Sequence, residues 1–141
     1  MELRDRLNGP NSINVALAFV EQINAHNVAG LCDLMSEDHV FIDSLGNTVR
    51  GRETMRQGWQ GYFSWFPDYQ MTVNDTVVND QLVAMFGIAR GTYFSDGKLV
   101  KENRWEIPAA WRATVRDGLM VEWRVYADNS PVLRIMEAKP S

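Results

Sequence analysis

The stretch VKENRWEIPAAWRATVRDGLMVEWRVYA, residues 100–127, decides the fold class. Two long runs rich in Trp, Val, Ile and Tyr flank Asp117-Gly118, a dipeptide suited to the positive φ angles of a two-residue hairpin turn. Trp105, Ile107, Ala109 and Val115 alternate with other positions in the first run, as do Val121, Trp123 and Val125 in the second. Side chains two apart share a strand face, so each run has an apolar face that must be covered. Pro108 can shift the register, which leaves open the face that Trp111 joins. Arg104 and Glu106 lie on one face, where a cross-strand ion pair toward solvent or an interface is expected. Arg112, Arg116, Glu122 and Arg124 read as a solvated face or a contact between subunits.

Upstream, residues 82–94 form another long strand, and the run holding Met71, Val73 and Val77 a further one, with turns at Asn79-Asp80 and residues 95–98. Gly87, Gly91 and Pro108 inside these strands favour bulges or bends. Nearer the N-terminus the period changes. Ser12 is the expected N-cap of a helix carrying Ile13, Leu17, Val20 and Ile23. Val28, Leu31, Leu34 and Met35 form a shorter helical stripe. Short strands are expected over residues 39–43 and 48–50. A third helix, opened by Gly51-Arg52-Glu53, places Met55, Trp59, Tyr62, Phe63 and Phe66 on one face until Pro67 stops it. After Asp128-Asn129-Ser130-Pro131, residues 132–138 read as a closing helix.

Helices first and a meander of long strands after them argue for an α+β domain. We expect a cone-shaped roll, a strongly curved mixed or antiparallel sheet packed over three helices from the N-terminal half, with a hollow at its mouth. Residues 1–11 read as a flexible arm and 12–141 as a single domain. Apolar residues make up 45% of the 141 and the net charge is −4, so there is no basic stripe for nucleic acid. No apolar run is long enough to span a bilayer, and no signal peptide is evident. A lone cysteine, Cys32, excludes an internal disulfide and suits a reducing cytoplasm. Five Trp, six Phe, four Tyr and seven Met are a heavy load for core, pocket walls and interfaces.

Residues 20–43 followed by Gly51-Arg52-Glu53, together with the ending Asp117-Gly118-Leu119-Met120-Val121-Glu122-Trp123-Arg124-Val125-Tyr126-Ala127-Asp128, resemble the nuclear transport factor 2-like superfamily. The nearest flavour is its SnoaL-like polyketide cyclase and ketosteroid isomerase-like branch. The resemblance implies the cone fold. It leaves the activity open among isomerases, cyclases, dehydratases, epoxide hydrolases and non-catalytic binders. Asp43, in Phe41-Ile42-Asp43-Ser44-Leu45-Gly46, falls where the isomerases keep their general base. Their tyrosine oxyanion donor falls on Phe19 and their protonated acid near Ala110, and neither residue can donate. Asp128 matches the acid that cyclase-like members place after the last long strand. Trp123-Arg124-x-Tyr126-x-Asp128 is similar to the epoxide hydrolase pattern, with Val125 where its first terminal acid stands and Arg104-Trp105-Glu106 a loose match to its Arg-x-Asp pair.

Proton transfer in such a pocket needs a carboxylate whose pKa burial raises and a donor for the developing oxyanion. Asp43 and Asp128 are the candidate bases, each with a local alternative, as turn bond or helix N-cap. His39, with its tunable pKa, joins them as a catalytic candidate. Arg90, Arg104, His39, Tyr62 and Tyr126 are candidate oxyanion partners. Phe19, Trp59, Tyr62, Phe63, Phe66, Arg90, Trp105, Trp123 and Tyr126 are the expected substrate-binding set. No metal-ligand spacing or phosphate-binding loop appears, and no cofactor is expected. Two readings follow: a cofactor-free acid/base enzyme for a small hydrophobic carbonyl or cyclic substrate, or a non-catalytic module for an apolar ligand or a protein partner. A homodimer through the sheet face is expected as well.

Overall fold

The computed structural model describes residues 11–138. Helix α1 (Ser12–Asn24) begins one residue earlier than expected, because the Asn11 side chain, rather than Ser12, accepts the Ile13 N–H at 3.0 Å and caps it. Its buried stripe is Ala16, Phe19, Val20 and Ile23, spaced i, i+3, i+4, i+7. Ala25 and His26, the latter at φ 55°, end the helix, and α2 (Val28–Leu34) follows under an Asn27 cap. Met35 does not extend α2: it turns extended and opens β1 (Met35–Ile42), four residues ahead of the expected strand. Strand β2 (Thr48–Arg50) and helix α3 (Arg52–Trp65) come next. Helix α3 buries Met55, Trp59 and Phe63, one residue per turn.

Strands β3 (Gln70–Asn79), β4 (Leu82–Thr92), β5 (Arg104–Arg116) and β6 (Leu119–Tyr126) form the meander, and α4 (Ser130–Ala138) closes the chain. A 3-10 turn at Lys101–Asn103 occupies what the sequence suggested as the start of β5. The sheet is curved and unclosed, with strand order β2-β1-β6-β5-β4-β3. It is mixed: β1 runs parallel to β6 and every other neighbour is antiparallel. Asp117 and Gly118, at φ 52° and 77°, make the β5–β6 hairpin turn.

Two local features bend the layer. The β3–β4 register slips between Val73 and Asp75, and Gly87 sits against that bulge; a Cβ there would run into the Thr72 carbonyl. Pro108 does not break the register. Pairing of β4 with β5 is continuous from Leu82–Thr114 to Thr92–Arg104, whereas β6 pairs with β5 no further than Ala110. Pro108 therefore lies where its missing N–H has no β6 neighbour to serve. Trp111 consequently stays on the face of Trp105, Ile107 and Ala109. Those residues, with Val83, Met85 and Ala89 of β4 and Trp123 of β6, face the helices. The opposite face carries Leu82, Ala84, Phe86, Ala110, Arg112 and Tyr126 around a shallow hollow of about 320 Å³. Arg104 and Glu106 are exposed and form no ion pair among the described residues; the cross-strand pair is instead Arg112–Glu122, at 3.6 Å.

Candidate functional site

Helices and sheet do not meet everywhere. Between them lies a cavity of about 950 Å³. Helix α3 contributes Met55, Trp59, Tyr62 and Trp65; the segment after it, Phe66 and Tyr69; and β3, Met71. Ala89 comes from β4, Trp105, Ile107, Ala109 and Trp111 from β5, and Trp123 and Val125 from β6. All five tryptophans of the chain are in this wall. Ile23, Phe41 and Val49 complete the interior, and Val132, Leu133 and Met136 of α4 close one side. Leu45, Trp65 and Leu133 border the cavity yet are 83%, 50% and 51% exposed, which locates its mouth. There the β1–β2 turn meets the segment before α4, and Asn129 Nδ2 donates to Ser44 Oγ at 2.9 Å across them.

Asp43 and Asp128 both border this mouth, and among the described residues they are the lining's only charged side chains, with no arginine, lysine or histidine beside them. Both carboxylates also serve local turns. Asp43 accepts from the Leu45 and Asn47 N–H groups at 2.9 and 2.8 Å and from Asn47 Nδ2 at 3.2 Å. Asp128 accepts from the Ser130 hydroxyl at 2.6 Å and the Ser130 N–H at 3.0 Å. Those two donors hold the Asp128 carboxyl below the usual carboxylate range, opposite to the upward shift that burial would give a general base.

The other sequence candidates divide. Trp59, Tyr62, Phe66, Trp105 and Trp123 line the cavity. Phe19 and Phe63 do not: Phe19 packs behind Trp123 with ring centroids 4.9 Å apart, and Phe63 stacks on His26 at 4.1 Å. Arg90 lies on the far face of the sheet, donating to Thr72 Oγ1 at 3.1 Å, because the even positions of β4 point away from the helices. Tyr126 is on that face too, 43% exposed beneath the Arg124 guanidinium at 5.0 Å. Arg104 is exposed and outside the lining.

His39 is fully buried, and its Nδ1–H donates to the Met120 carbonyl at 2.8 Å, while Nε2 has no partner. Burial pushes its pKa below the usual 6.5. It is a neutral core imidazole outside the cavity lining. Cys32 is on the buried side of α2, its thiol pushed up by desolvation, and is also outside the lining.

Tyr69 was not among the sequence candidates. It stands between a proline-stopped helix and a strand, where no periodicity points to it. It lies 5.1 Å from Tyr62, ring to ring and nearly perpendicular, and burial pushes both phenols well above their ordinary 10. Among the described residues no group of three or more His, Cys, Asp or Glu could hold a metal ion. No helix among them is long and apolar enough to cross a membrane.

Comparison with known proteins agrees with this architecture. The model of the SnoaL-like domain matches residues 16–123. A candidate SnoaL-like polyketide cyclase from Jannaschia sp. CCS1 superposes with a TM-score of 0.78 at 18% identity, over 92% of this chain and 93% of that one. IdmH, a candidate polyketide cyclase from Streptomyces antibioticus, gives 0.74 at 27% identity, over 90% and 99%. A ketosteroid isomerase-like fold from Catenulispora acidiphila, solved with trimethylamine, gives 0.73 at 18% identity, over 85% and 89%. No curated protein matches.

Proposed function

The chain belongs to the SnoaL-like domain family, and on that premise we propose that its cavity receives a small, neutral, hydrophobic carbonyl or cyclic compound and moves a proton on it without a cofactor. The observation that carries this reading is the lining itself: a large aromatic hollow with two carboxylates at its mouth and, among the described residues, no cation. Such a wall gives apolar rings extensive contact and disfavours anionic ligands, which would lose hydration without gaining a cationic partner and would meet the Asp43 and Asp128 carboxylates at the mouth. Asp43 is the favoured base. It is less exposed than Asp128. The likeness to IdmH, a candidate polyketide cyclase, supports a ring-forming chemistry.

The test is hydrogen exchange at carbon. With 2-tetralone in D₂O, followed by NMR, wild-type protein is expected to accelerate deuterium uptake beside the carbonyl. Asp43→Asn is expected to abolish that acceleration and Asp128→Asn to reduce it. A second reading, non-catalytic binding, is favoured by the turn bonds that already engage both carboxylates. Saturable tetralone binding without exchange selects it.

We further propose that a second copy of this chain covers the outer sheet face, where Phe86 and Tyr126 are 45% and 43% exposed beside Ala84 and Ala110. The single buried thiol of Cys32 supports a reducing cytoplasm as its setting.

A further inference from the structure

Gly91 lies near the end of β4, and nothing in its backbone asks for glycine. The positive-φ glycines among the described residues are Gly46, Gly51, Gly97 and Gly118; Gly91 has strand geometry that any residue adopts. It makes no bulge either, because β4 pairs with β5 without a break through Gly91 and its direct cross-strand neighbour, Trp105. Glycine inside a strand costs stability, so a demand other than conformation accounts for it.

That demand is space. Gly91 shares the helix-facing side of β4 with Met85 and Ala89. A Cβ placed on it would stand 3.1 Å from Cζ2 and 3.4 Å from Cε2 of Trp105, with the Phe66 Cβ also at 3.4 Å. The shortest of these is inside normal carbon–carbon contact, and the atoms met belong to a rigid ring. The indole thus rests with its nitrogen-bearing edge on bare β4 backbone. Phe66 and Tyr69 hold it there, their ring centroids 5.2 and 6.0 Å from its own. All three rings line the cavity, whereas Gly91 does not. With backbone beneath and packed rings beside it, an indole pushed off position 91 can yield only into the cavity. Gly87 differs: its missing Cβ makes room for the Thr72 carbonyl, so a side chain there would disturb the sheet.

We infer that Gly91 is a specificity-determining residue that acts through Trp105: it lets the indole lie back against β4 and so sets the largest ring compound the cavity admits. This rests on the reading proposed above and deepens it, since any side chain at 91 lifts the wall into the ligand's space.

Equilibrium dialysis against two neutral ketones of different size, 2-tetralone and 2-acetylphenanthrene, tests it. Gly91→Val is expected to weaken binding of the larger ketone at least about tenfold and to leave 2-tetralone within about twofold of wild type. Gly91→Ala, where the ring need give only slightly, is expected to shift the ratio of the two affinities the same way by a smaller factor. Trp105→Phe removes about the volume that Gly91→Val adds, so combining them is expected to bring the ratio back toward wild type. A merely structural role for Gly91 would weaken both ketones alike, and the smaller ring would not repair the ratio. A wild-type ratio in both Gly91→Ala and Gly91→Val, or a ratio that Trp105→Phe does not restore, overturns the inference while the cavity reading stands. A wild-type protein that binds neither ketone overturns both.

Discussion

Replacing Asn24 by alanine should loosen the floor of the cavity. Strand β3 is an edge of the sheet, and Met71 near its start turns its N–H and carbonyl away from β4 toward the end of α1. The Asn24 side chain closes both: its Oδ1 accepts the Met71 N–H at 2.8 Å, and its Nδ2 donates to the Met71 carbonyl at 2.9 Å. A single amide thus stands in for a missing neighbouring strand. Alanine removes both bonds and leaves two part-buried backbone groups without partners. At about 1 kcal/mol for each bond, with a further penalty for poorly hydrated orphans, the loss is about 2–3 kcal/mol. For a domain of this length, about 3 °C per kcal/mol converts this to a Tm about 6–9 °C lower. The assay is thermal unfolding followed by circular dichroism, with exposed Asn14→Ala in the same helix as the control. Asn24→Asp keeps an acceptor for Met71 N–H but sets a carboxylate against the Met71 carbonyl, so it should not rescue the loss. A Tm within about 2 °C of wild type for Asn24→Ala, or full stability in Asn24→Asp, would refute this reasoning.

Two other outcomes follow from the coordinates. His39 is neutral in the folded state, with a pKa held below 6.5 by burial, so the unfolded chain binds its proton first as pH falls. Its contribution is whole above pH 6.5 and is lost as pH drops below that value toward the depressed folded pKa, by up to about 1.4 kcal/mol per pH unit; urea titrations at pH 7.5 and 5.5 measure the loss, and His39→Gln should flatten that pH dependence. On the outer face, Phe86→Glu places a charge in the exposed apolar hollow. Light scattering should show a dimer for wild type and a monomer for the variant, and a wild-type monomer at micromolar concentration contradicts the proposed subunit contact.

Much of the architecture was legible because its cues are local. Asp117-Gly118 is a turn by backbone chemistry alone, and the alternation around Trp105 and Ile107 needs no tertiary knowledge. The stripe of Met55, Trp59 and Phe63 likewise declares a buried helix face. What local pattern could not supply was the side of each element. Arg90 and Tyr126 read as wall residues until pairing placed them on the outer face. The face of Trp111 hung on Pro108, and that depended on how far β6 extends. His39 looked catalytic because of its residue type, but parallel pairing of β1 with β6 carries it against Met120 in the core. Tyr69 and the Asn24 clamp join segments more than forty residues apart in sequence, a closeness no window along the chain contains. Asp43 and Asp128 do reach one cavity mouth, but their hydrogen bonds to Asn47 and Ser130 were equally readable as turn chemistry.

Electron density for a neutral ring compound in the crystal tests the central claim most directly. Co-crystallised with saturating 2-acetylnaphthalene, the protein should show the ring system inside the cavity against Trp105 and Trp123. An interior with Tyr62 and Trp105 swung inward to fill the hollow, and the compound absent, would contradict it.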